Sequence, residues 1–187
     1  MEFISIFEQK ITLIYDEKID AFIRKIDVAR SVGRALAHQC WENPVSFSSL
    51  SQHMCLKEGI LTLYVADAIN KIYPEFRIWD LFVVQIHQES LRLDTHSFMS
   101  EASSTEINSP LPFSCYIKGP AILRMLQHAL SEEIFWNGIK VFLNHKVRKS
   151  PLNFDDLWTA MQIALNNSTG IYKFNIKDMM NDELGHN

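Results

Sequence analysis

From Asp20 onward, the apolar residues of this chain recur at steps of three and four, the period of an α-helix. Ile23, Ile26, Ala29 or Arg30, Gly33 and Ala37 mark one face of an amphipathic helix to about Cys40, and Asn43-Pro44 breaks it. Residues 44–54 read as a polar, serine-rich loop. A second helix runs from about Leu56 through Ile60, Tyr64, Ala68 and Ile72 and stops before Pro74; a third covers residues 76–93. Residues 94–112, rich in Ser, Thr, Asn and Pro, read as a long surface loop. Residues 116–130 return to helix, with Ile122, Met125, Leu126 and Ala129 inward. Ser131 caps the next helix, which places Glu132 and Glu133 in its first turn and buries Phe135, Ile139, Phe142 and Leu143. Another helix starts at Asn153 or Asp155 and buries Leu157, Met161 and Leu165, and residues 176–180 form a last turn. Only residues 11–15, β-branched and aromatic, read as a strand. The expected class is mainly α, as one domain over residues 1–187.

Of the 187 residues, 47% are apolar and 21% charged, enough to bury a core and to exclude global disorder. The net charge of −4 offers no basic excess for a phosphate backbone, which argues against nucleic acid as a partner. Lys146-Val147-Arg148-Lys149 is too short for such a patch and reads as a solvated helix end. No apolar run reaches the roughly 18–20 residues of a membrane span. The first eight residues carry an early acid and no basic segment, a poor signal peptide. As written, the chain is expected in the cytosol; a preceding upstream segment would make it extracellular or membrane-associated. Three cysteines cannot all pair, and they indicate no disulfide scaffold. Trp41, Trp79, Trp136 and Trp158 are expected in the core.

The chemistry concentrates around His38 and Glu58. Zinc hydrolases of the H-E-x-x-H type place two histidines four apart on one helix face, a general-base Glu after the first, and a third ligand on a later helix. Here the second histidine is His38 and the later carboxylate is Glu58, while the first two positions hold Arg34 and Ala35.

His38-Gln39-Cys40-Trp41-Glu42-Asn43-Pro44-Val45 resembles the H-Q-W-F-G-N-x-V run of the membrane alanyl aminopeptidase family of zinc peptidases. Leu56-Lys57-Glu58-Gly59 resembles that family's L-N-E-G, and Glu106-Ile107-Asn108 its E-I-N. Tyr116-Ile117-Lys118-Gly119 with Leu123-Arg124-Met125-Leu126 resembles its Y-x-K-G-x-x-x-L-R-M-L. Ile14-Tyr15-Asp16 and Asp156-Leu157-Trp158 are similar to its L-Y-D and D-L-W. The resemblance implies the helical lobe of a thermolysin-like peptidase domain, here partial. It implies zinc held by His38 and Glu58, Tyr116 as the donor to the transition-state oxyanion, and Glu2 as the remnant of the G-A-M-E-N loop that binds the substrate amine.

The departures bear on activity. Arg34 stays protonated and offers only donors, so it cannot ligate zinc. Ala35 has no base to activate water. Two protein ligands fall short of the three that catalytic zinc normally has. The interval from His38 to Glu58 is one residue longer than in the family, and the segment between Glu106 and Tyr116 is shorter. Arg34 is expected either in the place of zinc, paired with Glu58, or turned to solvent. His38 is either a residual ligand or a helix histidine bonded to Glu58. Cys40, His53 and Cys55 could rebuild a site with His38, or be ordinary packing residues, since residues two apart on a helix face different ways.

The expected function is therefore a pseudoenzyme that acts by binding a peptide in the vestigial cleft or a full-length relative. The alternative is a diverged zinc aminopeptidase that uses Glu58, His38 and Tyr116 in their family roles. A third outcome is a remnant without function, exposing apolar surface where flanking domains are missing.

Overall fold

The computed structural model describes residues 14–42, 51–95, 113–146, 154–168 and 174–184. Every regular element among them is helical, as the three-and-four periodicity predicts. α1 spans Phe22–Glu42 and α2 Ser51–Ile72. A 3-10 turn, Pro74–Phe76, leads into a helical run made of α3 (Ile78–Phe82), a π turn (Val83–His87) and α4 (Gln88–Thr95). α5 spans Phe113–Leu130, α6 Glu132–Lys146, α7 Phe154–Asn166 and α8 Ile176–Leu184.

α2 is the central element because it is apolar on several faces rather than one. Ile60, Leu61, Leu63, Val65, Ala66 and Ile69 are all buried, whereas an amphipathic surface helix would bury a single stripe. It packs against both α1 and α5. α5 in turn meets α4, the π turn and α6; α6 lies along α7, and α8 closes on α7. Phe135 and Phe142 of α6, with Leu157 and Met161 of α7, are fully buried, each contributing on the order of 1.5–3 kcal/mol. Glycines set how closely two of these pairs approach. A β-carbon on Gly59 would lie 2.9 Å from the carbonyl carbon of Gly119, so α2 and α5 touch backbone to backbone there. A β-carbon on Gly138 of α6 would lie 3.1 Å from the Met161 α-carbon of α7.

Several local expectations need correction. α2 begins at Ser51, inside the stretch read as loop. Gln52, His53, Met54 and Cys55 contain no breaker, and serine content alone does not stop a helix. In α5 the inward residues are Leu123, Leu126 and Leu130, while Met125 and Ala129 face out. Both stripes are apolar, so period alone does not choose between them; the contact at Gly59 does. Ile23 of α1 is about half exposed, while Ile26 and Ala37 carry the buried face. The third helix starts two residues later than its apolar pattern, because Arg77 takes a left-handed conformation (φ 50, ψ 46) between the 3-10 turn and α3. Ser131 also has positive φ (77), and its Oγ lies 3.5 Å from the Ile134 amide, too long for a strong cap.

Of the expected strand, residues 11–13 lie outside the described residues, and Ile14 and Tyr15 run in neither helix nor strand. Residues 43–50 and 96–112 also lie outside them. Trp158 is buried, and Trp79 and Trp136 pack partly buried against the core.

Candidate functional site

Three helices bring the sequence-predicted residues together. α1 presents Arg34 and His38, which share a face because they stand four apart. α2 supplies Glu58 at the level where Gly59 lets α5 approach, and α5 brings Tyr116 in its first turn.

Glu58 is the buried centre of this group, with a side chain only 6% exposed. Arg34 Nη2 donates to its Oε2. His38 Nε2 stands 3.5 Å from Oε1, within ion-pair range but long for a hydrogen bond. The carbonyl of Glu58 accepts from Thr62 Oγ1 at 2.8 Å. The Arg34 guanidinium lies 5.6 Å from the centre of the Tyr116 ring, where the ring quadrupole attracts a cation. Ala35, next to Arg34, offers a methyl group. Glu2 lies outside the described residues, as do the side chains of Cys40, His53 and Cys55.

Zinc, which the family resemblance implies, needs lone pairs converging from three side chains. The donor set present does not fit it. His38 and Glu58 converge, but from the third direction Glu58 meets a guanidinium, a fixed cation with donors only. Among the described residues no group of three or more His, Cys, Asp and Glu is arranged to hold a metal ion.

Sequence reasoning overlooked two further features, one beside this cluster and one apart from it. Arg30, one turn before Arg34, donates to Gln85 Oε1 of the π turn at 2.8 Å and, with Arg34, lines a cavity of about 240 Å³. Its position on the inward face of α1 was the available signal. A second cavity, of about 810 Å³, shares no residue with the Arg34 cluster. It lies between α2 and α6, lined by Tyr64, Trp136, Asp67, Lys71 and Glu132. There Lys71 Nζ contacts Asp67 at 2.7 Å and Glu132 at 3.9 Å. A hydrogen bond with Asp67, together with burial, raises the Glu132 pKa above its ordinary value.

No helix among the described residues is long and apolar enough to cross a membrane. The family model described as "Peptidase family M1 domain" matches residues 1–182. Aminopeptidase M1 of Arabidopsis thaliana is 33% identical over 156 residues, covering 80% of this chain and 17% of that protein. Aminopeptidase 2, mitochondrial, of Saccharomyces cerevisiae is 30% identical over 159 residues, 82% of this chain and 16% of that protein. Endoplasmic reticulum aminopeptidase 2 of Homo sapiens is 30% identical over 154 residues, 80% of this chain and 16% of that protein. The chain thus spans less than a fifth of the length of the curated relatives it matches. With a family match over nearly its whole length and helices that assemble the motif positions around Glu58, this chain belongs to the M1 peptidase family as a partial, mainly helical domain.

Proposed function

We propose that this chain is a non-hydrolytic M1-family lobe that acts by binding, with a peptide in the cleft or a full-length family member as its partner. The observation that carries the reading is the bond from Arg34 to Glu58. Peptide hydrolysis needs an activated water and a group to stabilise the developing oxyanion. At the position of the family's general base Ala35 cannot take a proton, and Arg34 cannot either, since its guanidinium is permanently protonated. Glu58 is engaged by Arg34 and faces His38. The Tyr116 hydroxyl could in principle serve an oxyanion, but donors contribute nothing when no nucleophile is generated.

The test is turnover of an aminoacyl chromogenic substrate, with and without added zinc, alongside the zinc content of the tag-free protein. The expected result is no turnover above background in either condition and no stoichiometric zinc. Chelator-sensitive turnover that disappears in Glu58→Ala would instead establish a diverged zinc aminopeptidase.

A further inference from the structure

We propose that the cavity between α1, α2 and the π turn is a binding site for a carboxylate carried on a short branched apolar group, with Arg30 as its principal anchor. The site combines two guanidinium groups with an apolar floor. Arg30 and Arg34 stand one helical turn apart on the same wall; Val65, Ile78, Phe82 and Ile86 form most of the apolar part of the lining, and Ser31, Thr62 and Gln85 its neutral polar part. The two cations are not equivalent. Arg34 is already bonded to the Glu58 carboxylate. Arg30 is bonded to a neutral acceptor, the Gln85 amide oxygen, and is partly buried. Burial pushes the Arg30 pKa down, with the Asp27 carboxylate opposing that shift from the same helix. A partly buried cation whose bonded acceptor is neutral gains from an incoming anion, because a bond between two charged groups is stronger than one to a neutral acceptor.

The apolar walls select what carries the charge. Phosphate carries more charge and more oxygens to satisfy, and Val65, Ile78 and Phe82 offer them no donors, so it gives up more hydration here than Arg30 alone repays. A carboxylate on a branched aliphatic stem places its charge on Arg30 and its methyl groups on those walls. The volume of about 240 Å³ lies below the range of about 300–1,000 Å³ that holds drug-sized ligands, which limits the body to a few carbons. A free short-chain acid and the C-terminus of a peptide ending in leucine share this chemistry. Such binding involves neither metal nor turnover, so it stands or falls apart from the non-hydrolytic reading.

Titration of the full chain with isovalerate, N-acetyl-leucine, N-acetyl-leucinamide and inorganic phosphate, followed by calorimetry and by the Gln85 side-chain amide signals in NMR spectra, tests it. At least one of the two carboxylates should bind and shift the Gln85 signals, and which of them is tighter separates free acid from peptide terminus. The carboxamide and phosphate should bind at least tenfold more weakly. Arg30→Gln should weaken the carboxylate at least tenfold, and Arg30→Lys less, with circular dichroism confirming the fold of both. Equal affinity for carboxylate and carboxamide, equal affinity for phosphate, or no Gln85 shift at millimolar ligand in the unsubstituted protein overturns the proposal.

Discussion

Arg34 holds a carboxylate far more deeply buried than itself: the Arg34 side chain is 41% exposed and that of Glu58 only 6%. The two ends of this ion pair therefore differ in what their loss leaves behind. Arg34→Met leaves a buried carboxylate with the His38 imidazole, Nε2 at 3.5 Å, beside it in place of a fixed cation. The expected cost is about 2–4 kcal/mol, below the upper end for a broken buried pair because Arg34 reaches solvent. Glu58→Gln leaves an amide oxygen that still accepts from Arg34, and should cost about 1 kcal/mol. Urea unfolding of the two variants measures the difference, and the reverse order would show that the bond contributes little to the fold.

Zinc affinity should be limited by residue 34, the position where a third ligand is missing beside His38 and Glu58. The double substitution Arg34→His, Ala35→Glu restores an H-E-x-x-H pattern beside Glu58. It is expected to raise zinc affinity by about 100-fold or more, since even outer-shell changes alter metal affinity 10–100-fold. Equilibrium dialysis against zinc checks this, with the unsubstituted chain as reference. Equal affinities would mean that Arg34 does not block the site.

Parts of this arrangement were readable along the chain, and the reasons are local. α6 and α7 each have one apolar stripe, so Phe135, Ile139 and Phe142, and Leu157, Met161 and Leu165, declare their inward face by period alone. α5 has two competing apolar stripes, and the backbone contact between Gly59 and Gly119 decides between them. For the site, motif order identified Arg34, His38, Glu58 and Tyr116 as neighbours. Helix spacing gives a face but not a rotamer, so it could not say whether Arg34 turns to Glu58 or to solvent. The bond between Arg30 and Gln85 spans 55 positions and enters no periodicity.

Gly59 should not tolerate a side chain. A β-carbon there would stand 2.9 Å from both the Gly119 carbonyl carbon and Leu123 Cδ1. Backbone cannot rotate away, so α2 and α5 must separate, at a cost of about 1–3 kcal/mol. The better helix propensity of alanine returns at most about 1 kcal/mol. Gly33→Ala is the internal comparison, because its β-carbon would meet only the Val65 side chain, at 3.0 Å. Thermal unfolding should show Gly59→Ala clearly destabilised and Gly33→Ala near the parent; equal shifts would discount the backbone contact.

Acid should weaken the packing of α5 on the π turn through His87. Its Nε2 is buried without a hydrogen-bond partner, and its ring meets Phe82 edge-on at 5.2 Å. Burial, then the charges of Arg124 and His128, lower its pKa below the ordinary 6.5. Burial and Arg124 lower that of His128 in the same direction, with more solvent screening because His128 is exposed. A base whose folded pKa is depressed binds its proton first in the unfolded chain, so stability is lost as pH falls from about 6.5 toward the folded value. Glu132 acts oppositely: its raised pKa makes stability grow as pH falls through the folded value toward 4.5. His87→Phe keeps the ring contact and removes the titration, so the difference between parent and variant isolates the histidine. Urea midpoints measured from pH 7.5 to 5 should fall more steeply for the parent than for the variant, and parallel curves would exclude His87 as the titrating group.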